Sequence, residues 1–259
     1  MANIATTKSV NSVFKHGGFL YWVPWDEDKS IDEVYVAELA SKAEAGDLAI
    51  TVDQVTAFPA TGSIYMADET GGVLAYSAVT GTAITLATLT ADHAIGTIVE
   101  VVQATGATVT SYNGFSCMGY SAETEFNPGI GDSETIMTEN GFAITGFSSP
   151  AEPTLSVTFL QSDFDSLAMI LQKDIEASTE NGASVIESTS TFRDIAAIYV
   201  ARSQAPDGTE KTFVFKFPHL QRNGAEPVVF NNEVRQTTVS FRALYDKTDG
   251  YEYKVLCEE

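Results

Sequence analysis

The chain has 259 residues, of which 44% are hydrophobic, and a net charge of −21 from 35 acidic and 14 basic side chains. This composition is typical of a globular protein with one large β domain or two smaller ones. The excess of carboxylates argues against a surface that holds duplex nucleic acid, because such a surface needs lysine and arginine to neutralise phosphates.

Two cysteines, Cys117 and Cys257, are too few for a disulfide framework, and the sequence leaves open whether they pair. The N-terminal residues lack the apolar run of a signal peptide. No window approaches the roughly 18 apolar residues of a membrane-spanning helix, so we expect no membrane span.

Residues 1–36 are predicted to hold an N-terminal arm and the first strands of the main domain. The aromatic segment His16–Trp25 predicts a strand that ends at Pro24, and a short strand is expected at Val34–Val36.

Residues 37–105 are rich in alanine, threonine, valine and glycine, and they predict a small inserted β domain. Turn residues such as Pro59 and Gly81 separate the strand-like runs. The predicted strands are Leu48–Val52, Ser63–Ala67, Val73–Val79, Ala83–Leu86 and Thr97–Val102.

The main domain is predicted to span 106–259, and it begins with an acidic segment. Residues 111–150 contain five acids and no lysine or arginine. Strands are expected at Phe115–Tyr120 and Phe142–Phe147, with turns at 127–129 and 131–132, so the residues between form a long hairpin or loop. The side chains expected there at a subunit interface or a lumen are Glu123, Glu125, Phe126, Asn127, Pro128, Asp132 and Glu134.

One helix is predicted, at residues 162–173. Ser162 can cap its first turn, and Asp165 completes a capping box. Apolar side chains with helical spacing would pack against the sheet: Phe164, Leu167, Ala168 and Leu171. The residues before and after this helix predict strands, so the expected fold is mainly β, a sandwich or half-barrel of two antiparallel sheets flanked by one helix.

An antiparallel meander is predicted for the C-terminal third. Strands are expected at Ile195–Arg202, at Thr212–Phe217 before Pro218, at Glu233–Tyr245 and at Tyr251–Leu256, and a further short strand at Val228–Phe230. In the second strand Phe213, Phe215 and Phe217 fall on one face, and Thr212, Val214 and Lys216 fall on the other, a period of two that is typical of a half-buried strand.

No catalytic, cofactor-binding or metal-binding pattern appears, so we expect no enzyme. The three histidines have no metal-ligand spacing. The acidic run that begins at Asp26 has Ile31 where a calcium loop needs glycine. Four aromatic residues, Phe19, Tyr21, Trp22 and Trp25, form either strand core or a carbohydrate platform.

Two resemblances follow from these patterns. The strings AYSAVTGTAITL (75–86) and HAIGTIV (93–99) resemble a small β module of structural proteins of tailed bacteriophages. Within 108–259 the acidic segment is followed by PTLSVTFL, SDFDSLAMIL, FRDIAAIYVAR and finally TTVSFRALYD. This order of elements resembles the tail tube (major tail) protein of long-tailed bacteriophages.

The second resemblance implies a structural virion protein, assembled in the host cytoplasm, whose rings of six subunits stack into a tube closed by a continuous β-barrel. It implies a tape-measure protein, a tail terminator and distal tail proteins as partners, with genome DNA passing through an acidic lumen. An insert on the outside of the tube favours a non-contractile tail. The alternatives are a secreted or surface β adhesin that binds carbohydrate, or another phage part such as a decoration or head–tail joining protein.

Overall fold

The computed structural model describes residues 13–14, 18–55, 58–67, 69–70, 73–102, 110–137, 143–150, 152–159, 175–177, 184–186, 193–204, 210–223 and 237–257. Regular secondary structure in this part of the chain is entirely β, and no helix there is long and apolar enough to cross a membrane. The mainly β prediction is therefore confirmed. The predicted helix, with Phe164, Leu167, Ala168 and Leu171, lies outside the described residues.

The strands, in chain order, are β1 (Val13–Phe14), β2 (Phe19–Pro24), β3 (Lys29–Ser30), β4 (Tyr35–Glu38), β5 (Ala49–Thr51), β6 (Gly62–Tyr65), β7 (Val73–Thr80), β8 (Ala83–Leu86), β9 (Ile98–Val101), β10 (Thr110–Ser111), β11 (Ser116–Asn127), β12 (Ile130–Met137), β13 (Ala143–Pro150), β14 (Thr154–Phe159), β15 (Ile175–Ala177), β16 (Ser184–Ile186), β17 (Ile195–Gln204), β18 (Glu210–Arg222), β19 (Thr237–Ala243) and β20 (Lys254–Cys257).

Eight strands form one antiparallel sheet in the order β1-β17-β2-β11-β14-β19-β18-β20. Strand β18 also pairs with β17, so the sheet curls back on itself as a half-barrel, which we call the curled sheet. A second antiparallel sheet has six strands in the order β4-β9-β6-β7-β8-β5. Three two-stranded pairs complete the described structure: β3–β10, β12–β13 and β15–β16.

The interior of the curled sheet is apolar because alternate side chains of its strands point inward. Leu20, Val157, Phe217 and Phe241 are fully buried there. The remaining buried members of this barrel core are Met118, Leu155, Phe159, Ile195, Ala197, Tyr199, Ala201, Leu220, Val239 and Ala243.

The outer side of the curled sheet is also apolar along β2, β17 and β18. Residues that enter and leave the six-stranded sheet cover it, among them Ile31, Val34 and Phe115. The other buried members of this junction core are Tyr21, Val23, Val36, Tyr112, Ala196, Ile198, Val200 and Val214. Strand β17 therefore separates two cores, which explains the apolar run of residues 195–201 within it.

The predicted C-terminal end of β18 is wrong. The sequence predicts that Pro218 ends this strand, but β18 continues to Arg222. Its pairing with β17 shifts between Phe217 and Leu220, so Pro218 lies in a bulge, where a residue without an N–H is tolerated. The alternation itself is confirmed, since Phe213, Phe215 and Phe217 all contact the barrel core.

The six-stranded sheet spans residues 35–101 and encloses a third core. All five strands predicted for this region are present, and β4 completes the sheet. The buried members of this third core are Ala37, Leu39, Ala43, Ile50, Val52, Ile64, Met66, Leu74, Tyr76, Ile84, Leu86, Leu89, Val99 and Val101.

A buried carboxylate fixes the loops at one end of this sheet. Glu69 accepts hydrogen bonds from Thr90 N at 3.0 Å and Ala91 N at 3.1 Å, and His93 Nε2 lies 2.8 Å from its Oε1. Burial raises the pKa of Glu69, but the hydrogen bonds from Thr90, His93 and Ala91 outweigh it and lower the pKa to about 2.

We expect Glu69→Gln to lower the free energy of unfolding at pH 7 by about 2–3 kcal/mol. The pKa of Glu69 is lower in the folded than in the unfolded chain, so its stabilisation is complete above about pH 4.5 and is lost as the pH falls towards 2. Urea unfolding of both proteins between pH 7 and pH 3 measures this. A constant difference across that range would contradict the assignment.

Close backbone approach disfavours a side chain at Gly18, the residue directly before β2. A Cβ atom at this position would lie 2.4 Å from the carbonyl oxygen of Val200. We expect Gly18→Ala to lower the free energy of unfolding by about 1–3 kcal/mol, because the backbone must shift. Thr51→Ala, at an exposed strand position, is the control for chemical denaturation, and equal effects of the two changes would refute this account.

Candidate interaction surface

Three neighbouring strands of the curled sheet carry a polar outer face. On β11, β14 and β19 inward side chains such as Phe126, Val157 and Phe241 belong to the barrel core or pack against it. The outward side chains are hydroxyls, carboxylates, an amide and one guanidinium. This polar face comprises Glu123, Glu125, Asn127, Thr154, Ser156, Thr158, Thr238, Ser240 and Arg242.

Strand register places these side chains in rows across the sheet. Glu123 lies opposite Thr158, which lies opposite Thr238, and the next row is Glu125, Ser156 and Ser240. The paired hydroxyls bond each other, with 2.8 Å between Thr158 Oγ1 and Thr238 Oγ1 and 2.7 Å between Ser156 Oγ and Ser240 Oγ. Cross-strand hydroxyl pairs of this kind stabilise the sheet modestly.

The polar face carries negative charge. Glu123 and Glu125 are exposed, and the single cation, Arg242, lies 3.6 Å from the carboxylate of Glu152. Arg242 Nε also donates to Gln221 Oε1 at 2.9 Å. Two carboxylates therefore remain without a cationic partner on this face among the described residues.

The structure corrects the predicted loop. Glu123, Glu125, Phe126 and Asn127 lie in β11, which pairs with β14 from Ser121 to Asn127. Phe126 points inward, where its ring centroid is 4.8 Å from that of Tyr253. This part of β11 was not predicted as a strand, because residues 121–127 contain only one large apolar side chain, Phe126, and so lack an apolar period of two.

The remaining predicted residues fall at the end of β11 and in β12. A turn follows Asn127 as expected, with exposed Pro128 and with Gly129 at φ 77°. The second predicted turn is wrong, since Gly131 and Asp132 lie within β12, as does Glu134.

Strands β12 and β13 form a long hairpin. They pair from Ile130 opposite Pro150 to Met137 opposite Ala143, a length of about 25 Å at roughly 3.3 Å per residue. Within the described residues the hairpin pairs with no third strand. Because a lone two-stranded sheet is only marginally stable in water, we expect this hairpin to need a covering partner.

Trp22 and Trp25 do not share one surface. Trp22 packs against the barrel core. The Trp25 ring stacks on His219, with 4.1 Å between the ring centroids, and its Nε1 donates to Asp246 Oδ2 at 3.0 Å. Two open clefts of about 350 and 560 Å³ have Trp25 in their walls.

Sequence reasoning missed two features near these surfaces. Asp194 accepts hydrogen bonds from Gln221, and its Oδ2 lies 2.7 Å from His219 Nε2. Lys216 is fully buried although it alternates with phenylalanine as an outward residue would. The only sequence signal for Lys216 was the period of two in its strand. This period places Lys216 on the face opposite the phenylalanines, but it does not show which part of the chain covers that face.

Comparison with known proteins gave no identification: no protein-family model matches the chain, and a search of curated proteins found no match.

Proposed function

We propose that this chain is a tail tube subunit of a long-tailed bacteriophage, which assembles into stacked rings of six around a channel for DNA. The polar face carries the proposal. A sheet that packs an apolar core on one side and exposes hydroxyls and carboxylates on the other suits a channel wall that DNA must pass without binding. Unneutralised carboxylates repel phosphates.

An open strand edge supports assembly between copies. Strand β11 pairs with β2 up to Tyr120 and with β14 from Ser121, on opposite edges. The edge of residues 123–127 that faces away from β14 has no partner among the described strands. Pairing with a neighbouring copy would satisfy this edge and remove a site of uncontrolled association.

The six-stranded sheet fits the role of a decoration on the outside of the tube, because it has its own core. The carbohydrate-binding alternative has less physical support: one face of the Trp25 ring is taken by His219, and Trp22 faces the barrel core. A decoration or head–tail joining protein would share the β-rich fold and differs in the assembly it forms.

Shortening the hairpin tests assembly. Residues 131–149 are replaced by Gly-Ser-Gly, which can join Ile130 to its partner Pro150. We propose that a neighbouring copy covers the hairpin, which pairs with no third strand among the described residues. We therefore expect a folded monomer with near-native thermal stability and no tubes, because the curled sheet stays intact while this contact is lost. Circular dichroism and negative-stain microscopy measure the two properties, with the intact chain as control. Normal tubes from the shortened chain would refute this role of the hairpin.

Cysteine labelling tests the orientation of the polar face. In a background of Cys117→Ala and Cys257→Ser, Thr238→Cys lies on the polar face and Leu48→Cys on the six-stranded sheet, where Leu48 is 61% exposed. A polyethylene glycol maleimide should label both variants as subunits. In tubes we expect it to label only Leu48→Cys, because the bulky reagent is excluded from the lumen.

Equal labelling of Thr238→Cys in subunits and in tubes would show that the polar face lies outside the lumen. Loss of labelling at Leu48→Cys would instead contradict the outer position of the six-stranded sheet.

A further inference from the structure

Lys216 occupies an unusual position between the two large sheets. Its side chain projects from the outer side of β18 into the junction core and is 0% exposed. Nζ donates a hydrogen bond to the backbone carbonyl oxygen of Asp32 and lies 3.7 Å from the centroid of the Tyr35 ring. Among the described residues, no carboxylate lies within ion-pairing distance of this nitrogen.

The nearby carboxylates are already engaged. Asp32 Oδ1 accepts hydrogen bonds from Lys254 and from the Tyr251 hydroxyl. Asp249 accepts from Ser30 and from the backbone N–H of Ile31. A protonated Lys216 would therefore have three N–H donors but only one carbonyl and one ring face, which is incomplete compensation for a buried charge.

The charges that face Lys216 come from three segments. Asp32 and Glu33 before β4 favour the ammonium form, as does Asp249, whereas Lys254 on β20 opposes it. Burial is the largest influence and lowers the pKa of Lys216 to about 7. Near neutral pH the amine therefore changes between a neutral and a charged form.

Lys216 bonds the segment that leads into the six-stranded sheet. Asp32 lies three residues before β4, and Tyr35 is the first residue of β4. Lys216 itself lies on β18, which belongs to the curled sheet. Two other contacts join the same sheets: Arg202 to Asp53 at 2.7 Å, and Tyr21 to Glu38 at 3.1 Å. Both of these contacts are partly exposed, whereas the Lys216 side chain is fully buried.

We propose that Lys216 is a proton-sensitive latch that holds the six-stranded sheet against the curled sheet. The neutral amine packs in the junction core and keeps residues 30–36 closed over β18. Protonation places an incompletely compensated ammonium in that core, so the side chain moves towards water and the junction loosens. This latch goes beyond the proposed tube function and acts in a single subunit.

A second buried group titrates in the same range with the opposite effect. Glu100 accepts hydrogen bonds from Gly114 N at 2.8 Å and Phe115 N at 2.7 Å, and burial raises its pKa to about 7. Acidification neutralises this carboxylate, which relieves a buried charge and favours the closed junction. Glu100→Gln removes this contribution, so the effect of Lys216 can be measured separately.

Direct titration of Lys216 is the first test. Lysine labelled with ¹³C at Cε is followed by NMR from pH 5.5 to 10, and the Lys216 signal is assigned by its absence in Lys216→Met. We expect a midpoint near neutral pH. A midpoint near the ordinary lysine value of about 10.4 would overturn the proposal. If Lys216→Met does not fold, the Lys216 signal is assigned instead by triple-resonance NMR of the wild-type protein.

Hydrogen exchange of residues 30–36 is the second test. After correction for intrinsic exchange rates, we expect protection in Glu100→Gln to be about thirtyfold lower at pH 6 than at pH 8.5, because each pH unit between the ordinary lysine pKa of about 10.4 and the folded pKa of about 7 changes the opening equilibrium tenfold. In the wild-type protein the neutralisation of Glu100 offsets part of this loss. Lys216→Met should stay protected at both pH values. Lys42→Met, which changes an exposed lysine, should behave like the wild type.

The latch is refuted if Lys216→Met loses protection on acidification, or if Glu100→Gln shows no loss. None of these results depends on tube assembly, so the latch and the proposed function can fail independently.

Discussion

Strand β17 carries constraints on all four of its sides. Its two edges pair with β2 and β18, and β1 extends the β2 side. Its two faces fill the barrel core and the junction core, with side chains as large as Tyr199 and Ile198. A register shift of one residue would exchange those faces, placing small alanines where large side chains pack and breaking both sets of pairings. The curvature of the sheet, the position of the polar face and the covered position of Lys216 all depend on this one register.

Local signals in the sequence were sufficient for most strands. In the six-stranded sheet, turn glycines and alternating residues marked every predicted strand, and each is present. The same holds for β17 and β19, where Val239 and Phe241 alternate with Thr238 and Ser240. Failures arose where tertiary context overrode local preference. Pro218 was taken as a strand end, but a bulge accommodates it, and the acidic part of β11 lacked the apolar period that reveals a strand.

The candidate surface could be predicted only in part. The shortage of bases near Glu123 and Glu125 identified an acidic region, and the structure gives that region a place on a sheet. The hydroxyl pairs join residues about eighty positions apart, so they follow from strand order, which no local pattern encodes. For Lys216, the local pattern gave the correct face of the strand but not its burial. Its alternation with phenylalanine predicts an outward position correctly, yet the six-stranded sheet's entry segment covers that position, and only the folded chain reveals this.

The hydroxyl pairs also limit what the polar face can hold. Within each pair, one O–H points at its neighbour, so half of these donors are already used and mainly lone pairs face outward. A phosphate oxygen is itself an acceptor, and it finds few free hydrogens on such a surface. The two rows of paired hydroxyls can therefore stay hydrated and still offer few hydrogen-bond donors to a polyanion, so serine and threonine contribute to weak binding as well as charge.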